Sequence, residues 1–170
     1  MISGPCNSGK SLYAEKLLDN HNKVIYIATS ENNPEDSDWI EKIEKHKKRR
    51  NKTWKLIETS TELSEQLSIY RNESILIESL GGYVAALLSM DNESWNLEMD
   101  KFILSISNHK GTIVIVSEEV GWSTVPSTKL GNTFMNRLTS LSFSLNKHSA
   151  SSWLVIQGTA IDIKMIGVSI

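Results

Sequence analysis

A chain of 170 residues, 39% hydrophobic and 22% charged, has the size and make-up of one soluble globular domain. A net charge of −2 and a sequence pI near 6.1 argue against general nucleic-acid binding. The single cysteine, Cys6, excludes an internal disulfide and suits a reducing cytosol. No apolar run approaches the roughly 18 residues of a membrane helix and no charged-then-apolar leader opens the chain, so the expected setting is the cytoplasm.

The first element is a loop. Residues 4–11 read Gly4-Pro5-Cys6-Asn7-Ser8-Gly9-Lys10-Ser11, a complete G-x-x-x-x-G-K-[ST] phosphate-binding pattern. Its glycines let the backbone curl so that successive N–H groups face phosphate oxygens. Lys10 is placed to reach the β- and γ-phosphates, and the Ser11 hydroxyl to ligate Mg²⁺. Cys6 stands where most residues are tolerated and reads as a passenger. Apolar residues at helical spacing over 10–20 set the loop at a helix N-terminus, whose dipole favours anions. Only Met1-Ile2-Ser3 precede Gly4, while strands run to about 5–6 residues. The expectation is a truncated first strand whose natural start lies a few residues upstream.

Strand-like apolar runs then alternate with helical patterns. Strands are expected at 23–28, 54–57, 75–77, 112–116 and 153–156, with an alternating run at 160–166 as a candidate edge strand. Helices are expected at 34–49, 61–70, 94–108 and 127–147. Continuous apolar strands suit a sheet covered on both faces, so the order predicts a doubly wound, mostly parallel α/β sheet flanked by helices, in one domain over 1–170. A phosphate loop also needs an acid at the end of another buried strand, on the metal side. Ile75-Leu76-Ile77-Glu78 supplies Glu78.

The helix at 34–49 carries a histidine among cations. Asn33 can cap it and Pro34 suits its first turn, with acids at its start and bases at its end. Trp39, Ile43 and His46 are spaced four and three apart and share one face. Three readings stay open on the residues alone. The basic end can be solvated surface. It can be a nucleic-acid patch, although no aromatic platform accompanies it. Or His46 handles a nucleotide, with Lys45, Lys47, Arg49 and Arg50 neutralising phosphate charge.

The whole assembly resembles a known family. It comprises the phosphate loop, the Tyr26-Ile27-Ala28-Thr29-Ser30 strand end and the R/K-I-x-x-H-x-x-x-R-x-x-x-W pattern (Lys42, Ile43, His46, Arg50, Trp54). It also includes Glu78 and Val116-Ser117-Glu118-Glu119-Val120-Gly121-Trp122-Ser123-Thr124-Val125-Pro126. Together these are similar to the bifunctional adenosylcobinamide kinase/adenosylcobinamide-phosphate guanylyltransferases of cobalamin biosynthesis, over essentially the whole chain. The resemblance implies a phosphate-loop, RecA-like fold, GTP and ATP as substrates with Mg²⁺, and an adenosylcobinamide-type corrinoid as acceptor. It implies His46 as the covalent nucleophile on the α-phosphate of GTP, and Thr29, Ser30 and the Arg50-to-Trp54 segment beside the nucleotide, with Glu58 near it. It also implies a homo-oligomer, a trimer. The chemistry suits the residue: neutral imidazole is nucleophilic, and its phosphoramidate leaves well once protonated.

The chain departs from the family pattern in places. Asn51 replaces a proline, and the C-L-T-x-W-L-x-N segment reads Ser79-Leu80-Gly81-Gly82-Tyr83-Val84-Ala85-Ala86. The N-E-V-G segment begins with Glu118, R-x-F-R-D reads Asn132-Thr133-Phe134-Met135-Asn136, and a downstream N-Q pair reads Phe143-Ser144. These changes spare Lys10, Ser11, His46, Arg50 and Glu78, so guanylyl transfer is the better supported activity and the kinase step the more exposed one. The rival readings are a generic phosphate-loop kinase with a merely basic helix, and a nucleotide-binding paralogue acting as a scaffold. His21 and His109 are expected to be solvated, and His148 to answer a helix dipole. Trp122 covers a ligand or packs on the core. No Cys/His cluster has metal-ligand spacing, leaving Mg²⁺ as the one expected metal.

Overall fold

Strand and helix alternate through most of the chain: β1 (Ile2–Gly4), α1 (Lys10–Leu18), β2 (Val24–Ala28), α2 (Ser37–Arg49), β3 (Lys55–Glu58), α3 (Leu63–Ile69), β4 (Ser74–Glu78), α4 (Leu80–Ala86), α5 (Asn92–Asn108), β5 (Ile113–Glu118), α6 (Lys129–His148), β6 (Trp153–Ile156), β7 (Thr159–Asp162) and α7 (Ile163–Ile166). The computed structural model describes residues 1–30, 35, 37–122 and 124–168, the side chains of residues 37–39 and 42 excepted. The expected cap at Asn33, the proline turn at Pro34 and the side chains of Trp39 and Lys42 lie outside the described residues, as does Ser123.

The strands form a seven-stranded sheet in the order β3-β2-β4-β5-β1-β6-β7. All neighbours are parallel except β6 and β7, which form an antiparallel hairpin at one edge. This is the mostly parallel, doubly wound architecture of a phosphate-loop fold. Successive strand residues bury into opposite faces, and two cores result. One takes Ile25, Ile27, Ile75, Ile77 and Ile115 together with Leu63, Tyr83, Phe102 and Leu138 from the helices. The other takes Ile2, Val24, Tyr26, Leu76, Val114 and Val116 with Ala14 and Leu18 of α1. Among the described residues no helix is long and apolar enough to cross a membrane.

Several elements differ from expectation. Helix α4 follows β4 immediately, where its two glycines masked the helical pattern. The 160–166 run divides into edge strand β7 and the short helix α7, whose first turn is capped by Asp162. His21 and His109 are half-buried and hydrogen-bonded rather than freely solvated. His21 Nδ1 lies 2.6 Å from Ser74 Oγ, and His109 Nε2 lies 2.9 Å from the Glu73 carbonyl oxygen. Trp54 does not line the cavity described below: it is buried in the core with Val24 and with Tyr26, which does line it.

Candidate active site

The parallel sheet brings three strand ends to one edge. Glu58 ends β3 and Glu78 ends β4, and each is in register with Ala28 of β2. Glu118 ends β5 and is in register with Gly4, where β1 runs into the phosphate loop. The crevice beyond the carboxyl ends of parallel strands is where such folds bind ligands. Here it is a cavity of about 580 Å³, lined in part by Ser30, His46, Arg50, Glu58, Glu78 and Glu118. Five of these six are residues that the sequence pointed to. Thr29 is the exception in its segment. It is fully buried, donating from Oγ1 to the Ser79 carbonyl and accepting from the Ser79 N–H, so it fastens β2 to the turn after β4.

The phosphate loop is built as its pattern demands. A Cβ on Gly4 would stand 2.2 Å from the Val155 carbonyl oxygen, so β6 presses against the loop where only glycine fits. Gly9, at φ 99°, opens α1 without a side-chain cap, leaving the first N–H groups of that helix for an anion. Lys10 is buried and donates from Nζ to the Pro5 carbonyl at 2.7 Å. The turn between β6 and β7 supports the loop, because Gly158 N–H donates to the Ser8 carbonyl at 2.9 Å. Cys6 is exposed, as a passenger would be.

Ser11 Oγ donates to Glu78 Oε1 at 2.8 Å, joining the loop to the cavity wall. Burial pushes the Glu78 carboxyl up to about 7 against the lowering effect of that hydrogen bond, and the charges of Glu118 and Glu15 add to the rise. Its other oxygen, Oε2, is buried without a hydrogen-bond partner, as is Ser8 Oγ. A buried carboxylate oxygen left unanswered beside a serine hydroxyl is a donor set of the hard, oxygen type that Mg²⁺ takes alongside phosphate oxygens. Ser11 and Glu78 therefore fit the metal that the loop implies. Among the described residues no group of three or more His, Cys, Asp or Glu side chains could hold a metal by itself.

His46 is half-buried, with its ring on the cavity. Its Nδ1 stands 3.4 Å from the Tyr26 hydroxyl, whose proton is held well above its usual range, chiefly by burial. The Arg50 guanidinium lies over the Tyr26 ring, 4.9 Å from its centre. Three of the other cations near His46 are engaged with acids. Lys45 pairs with Glu41, Lys47 with Glu44 and Arg49 with Glu15, so the cationic cluster is less concentrated on the cavity than the sequence suggested.

The order of these parts along the chain is matched by a family model described as cobinamide kinase/cobinamide phosphate guanyltransferase, over residues 1–163. The chain belongs to that family. A bifunctional adenosylcobalamin biosynthesis protein CobU of Escherichia coli is 29% identical over 180 residues, covering 96% of this chain and 98% of its own. The CobU of Salmonella typhimurium is 27% identical over the same shares, and CobP of Pseudomonas aeruginosa is 28% identical over 80% of each chain. The cobinamide kinase/guanylyltransferase family is one of transferases.

Sequence reasoning missed Glu118, Tyr26 and the Gly158 turn. Glu118 closes a β-branched run just as Glu78 does, so the same signal was present. Its carboxylate accepts from Ser79 Oγ and, at 3.0 Å, from the Gly81 N–H. Tyr26 opens a strand-end segment of the resembled pattern without a role of its own there, and nothing in the sequence marks the Gly158 turn. Trp122 is 61% exposed and so does not pack on the core. In the altered 132–136 segment, Phe134 lines the cavity and Asn132 fastens the preceding loop, donating from Nδ2 to the Pro126 carbonyl at 2.8 Å.

Proposed function

We propose that the chain, as one phosphate-loop transferase domain over 1–170, phosphorylates adenosylcobinamide with ATP or GTP. It then transfers GMP from GTP to the resulting adenosylcobinamide phosphate, giving adenosylcobinamide-GDP. The observation that carries this reading is that His46, Arg50 and Glu78 line one cavity while Glu78 is hydrogen-bonded to Ser11 of the phosphate loop. The cavity that His46 lines thus adjoins the phosphate loop through Glu78.

In the guanylyl step the unprotonated ring nitrogen of His46 attacks the α-phosphorus of GTP. A P–N bond forms, the P–O bond to pyrophosphate breaks, and pyrophosphate departs with its electron pair. Arg50 answers the charge that collects on the α-phosphate oxygens. The phosphate oxygen of adenosylcobinamide phosphate then displaces the histidine, whose nitrogen is protonated as it leaves. In the kinase step the acceptor hydroxyl oxygen attacks the γ-phosphorus and the P–O bond to the β-phosphate breaks. The nucleoside diphosphate departs with its electron pair and the hydroxyl proton passes to solvent, while the loop N–H groups and Lys10 hold the phosphates in line. Ser11 and Glu78 would hold Mg²⁺, which when bound neutralises charge on the phosphates. Glu58 and Ser30 bound the cavity on the β3 and β2 side and serve nucleotide or acceptor contacts. The reading includes work in the cytoplasm and a homo-oligomer, a trimer on the family resemblance. Exposed Phe143, Met165, Ile166 and Val168 offer apolar surface for that assembly.

The test is incubation with α-labelled GTP and Mg²⁺, in parallel with His46→Ala. The expected result is an acid-labile, base-stable label on the wild type that is absent from the variant. Phosphorylation of adenosylcobinamide without any protein label would favour a simple phosphate-loop kinase, and nucleotide binding without turnover a scaffold.

A further inference from the structure

Arg49, the last residue of α2, turns its guanidinium toward α1. It donates from Nε to Glu15 Oε2 and from Nη2 to Glu15 Oε1, both at 2.7 Å. The Glu15 side chain is 8% exposed, against 34% for Arg49. A carboxylate withdrawn that far from water is costly unless its charge is met, and a two-pronged arginine grip meets it in one fixed geometry. The lysine pairs on the same helix differ: Lys45–Glu41 and Lys47–Glu44 have both partners at least half exposed, where such pairs contribute little.

What the pair joins is informative. Glu15 belongs to α1, whose first residues, Lys10 and Ser11, complete the phosphate loop. Arg49 closes the helical turn that begins at His46, since the Arg50 N–H donates to the His46 carbonyl at 2.9 Å. The same end of α2 is held on a second side by Arg50 over the Tyr26 ring of β2. The two arginines therefore moor the histidine-bearing turn to the loop helix and to the sheet.

We propose, resting on the functional reading above, that the Glu15–Arg49 pair is the positioning device for guanylyl transfer. It fixes the histidine helix against the helix that opens at the phosphate loop, so that the imidazole meets the α-phosphate of a nucleotide held there. Neither residue touches the nucleotide; both act through α2. Phosphoryl transfer to a hydroxyl does not use His46 and does not need the pair.

Glu15→Gln, Arg49→Gln, the double variant and Arg49→Lys in the full chain test this. Each is measured for single-turnover labelling of His46 by α-labelled GTP, for GTP affinity, for thermal unfolding, and for γ-phosphoryl transfer to adenosylcobinamide. A shift of about 1 Å in a reacting group can cost about 10²-fold, so each glutamine variant is expected to label roughly 10- to 100-fold more slowly. GTP affinity and phosphoryl transfer are expected to stay within about two-fold, the double variant to be no slower than the slower single, and Arg49→Lys to fall between. Wild-type labelling rates in Arg49→Gln, or equal losses in labelling and GTP affinity, overturn the proposal. Should the glutamine variants not fold, Arg49→Lys decides, and full-rate labelling in it is the refuting result. An unlabelled wild type would instead overturn the functional reading, and the positioning role with it.

Discussion

A Cβ on Gly81 would stand 2.6 Å from Glu118 Oε2, so a side chain there would push the Glu118 carboxylate aside. The resemblance implies threonine at position 81 and asparagine at position 118, where this chain carries glycine and glutamate. The longer acid reaches into the room that the missing side chain leaves, accepting from the Gly81 N–H and the Ser79 hydroxyl. Read from sequence, the two changes were separate losses; in space they are one exchange. Gly81→Thr alone is therefore expected to lower the melting stability by about 1–3 kcal/mol by displacing the Glu118 carboxylate from the Gly81 N–H and the Ser79 hydroxyl, and Gly81→Thr with Glu118→Asn to recover most of it. Thermal unfolding of the three variants measures this. Residues 37 apart in the chain gave no hint of the contact, whereas Glu78, Lys10, Ser11 and His46 were legible because each belongs to a local pattern with its own chemistry.

Helix α4 escaped the sequence reading for a reason of the same kind at the next scale. Gly81 and Gly82 each weaken a helix by about 1 kcal/mol relative to alanine, so local propensity argued for a loop. Burial decides otherwise: Leu80, Tyr83 and Val84 are wholly inside. The end of that helix is held by Arg137 of α6, itself buried, which donates to the Leu87 carbonyl at 2.9 Å and the Met90 carbonyl at 2.7 Å while stacking on Trp95. Arg137→Met removes these bonds and strands two carbonyls. It is expected to cost about 2–4 kcal/mol in denaturant unfolding, with a loosened α4–α5 corner visible as faster amide exchange there. The longer helices were legible from their apolar spacing, since tertiary contacts and local preference agree in them. Their caps follow suit, with Asp91 opening α5 and Thr128 opening α6.

Across the molecule, three strands end in glutamate at one edge of the sheet, and the middle one carries the electrostatic strain. The Glu78 carboxyl titrates near 7 in the fold against an ordinary value of 4.5. Below about 4.5 folded and unfolded chains both hold the proton and the group is neutral to stability. Between 4.5 and 7 the folded chain keeps a proton that the unfolded chain releases, so stability falls as pH rises through that interval. Above it the loss is complete, on the order of 3 kcal/mol. Melting in metal- and nucleotide-free buffer is expected to show this slope, and Glu78→Gln to flatten it. The parallel character of the sheet was legible in the unbroken apolar strands, but their order was not, because periodicity says how a strand is covered and nothing about its neighbours. That order has a consequence for biogenesis. Among the described residues β1 pairs with β5 and β6, Ile2 lying opposite Val116 and Trp153. The nucleotide cradle's own residues leave the ribosome about a hundred residues or more before either flanking partner. Nascent chains halted before β5 would carry every residue of the cradle and bind no triphosphate.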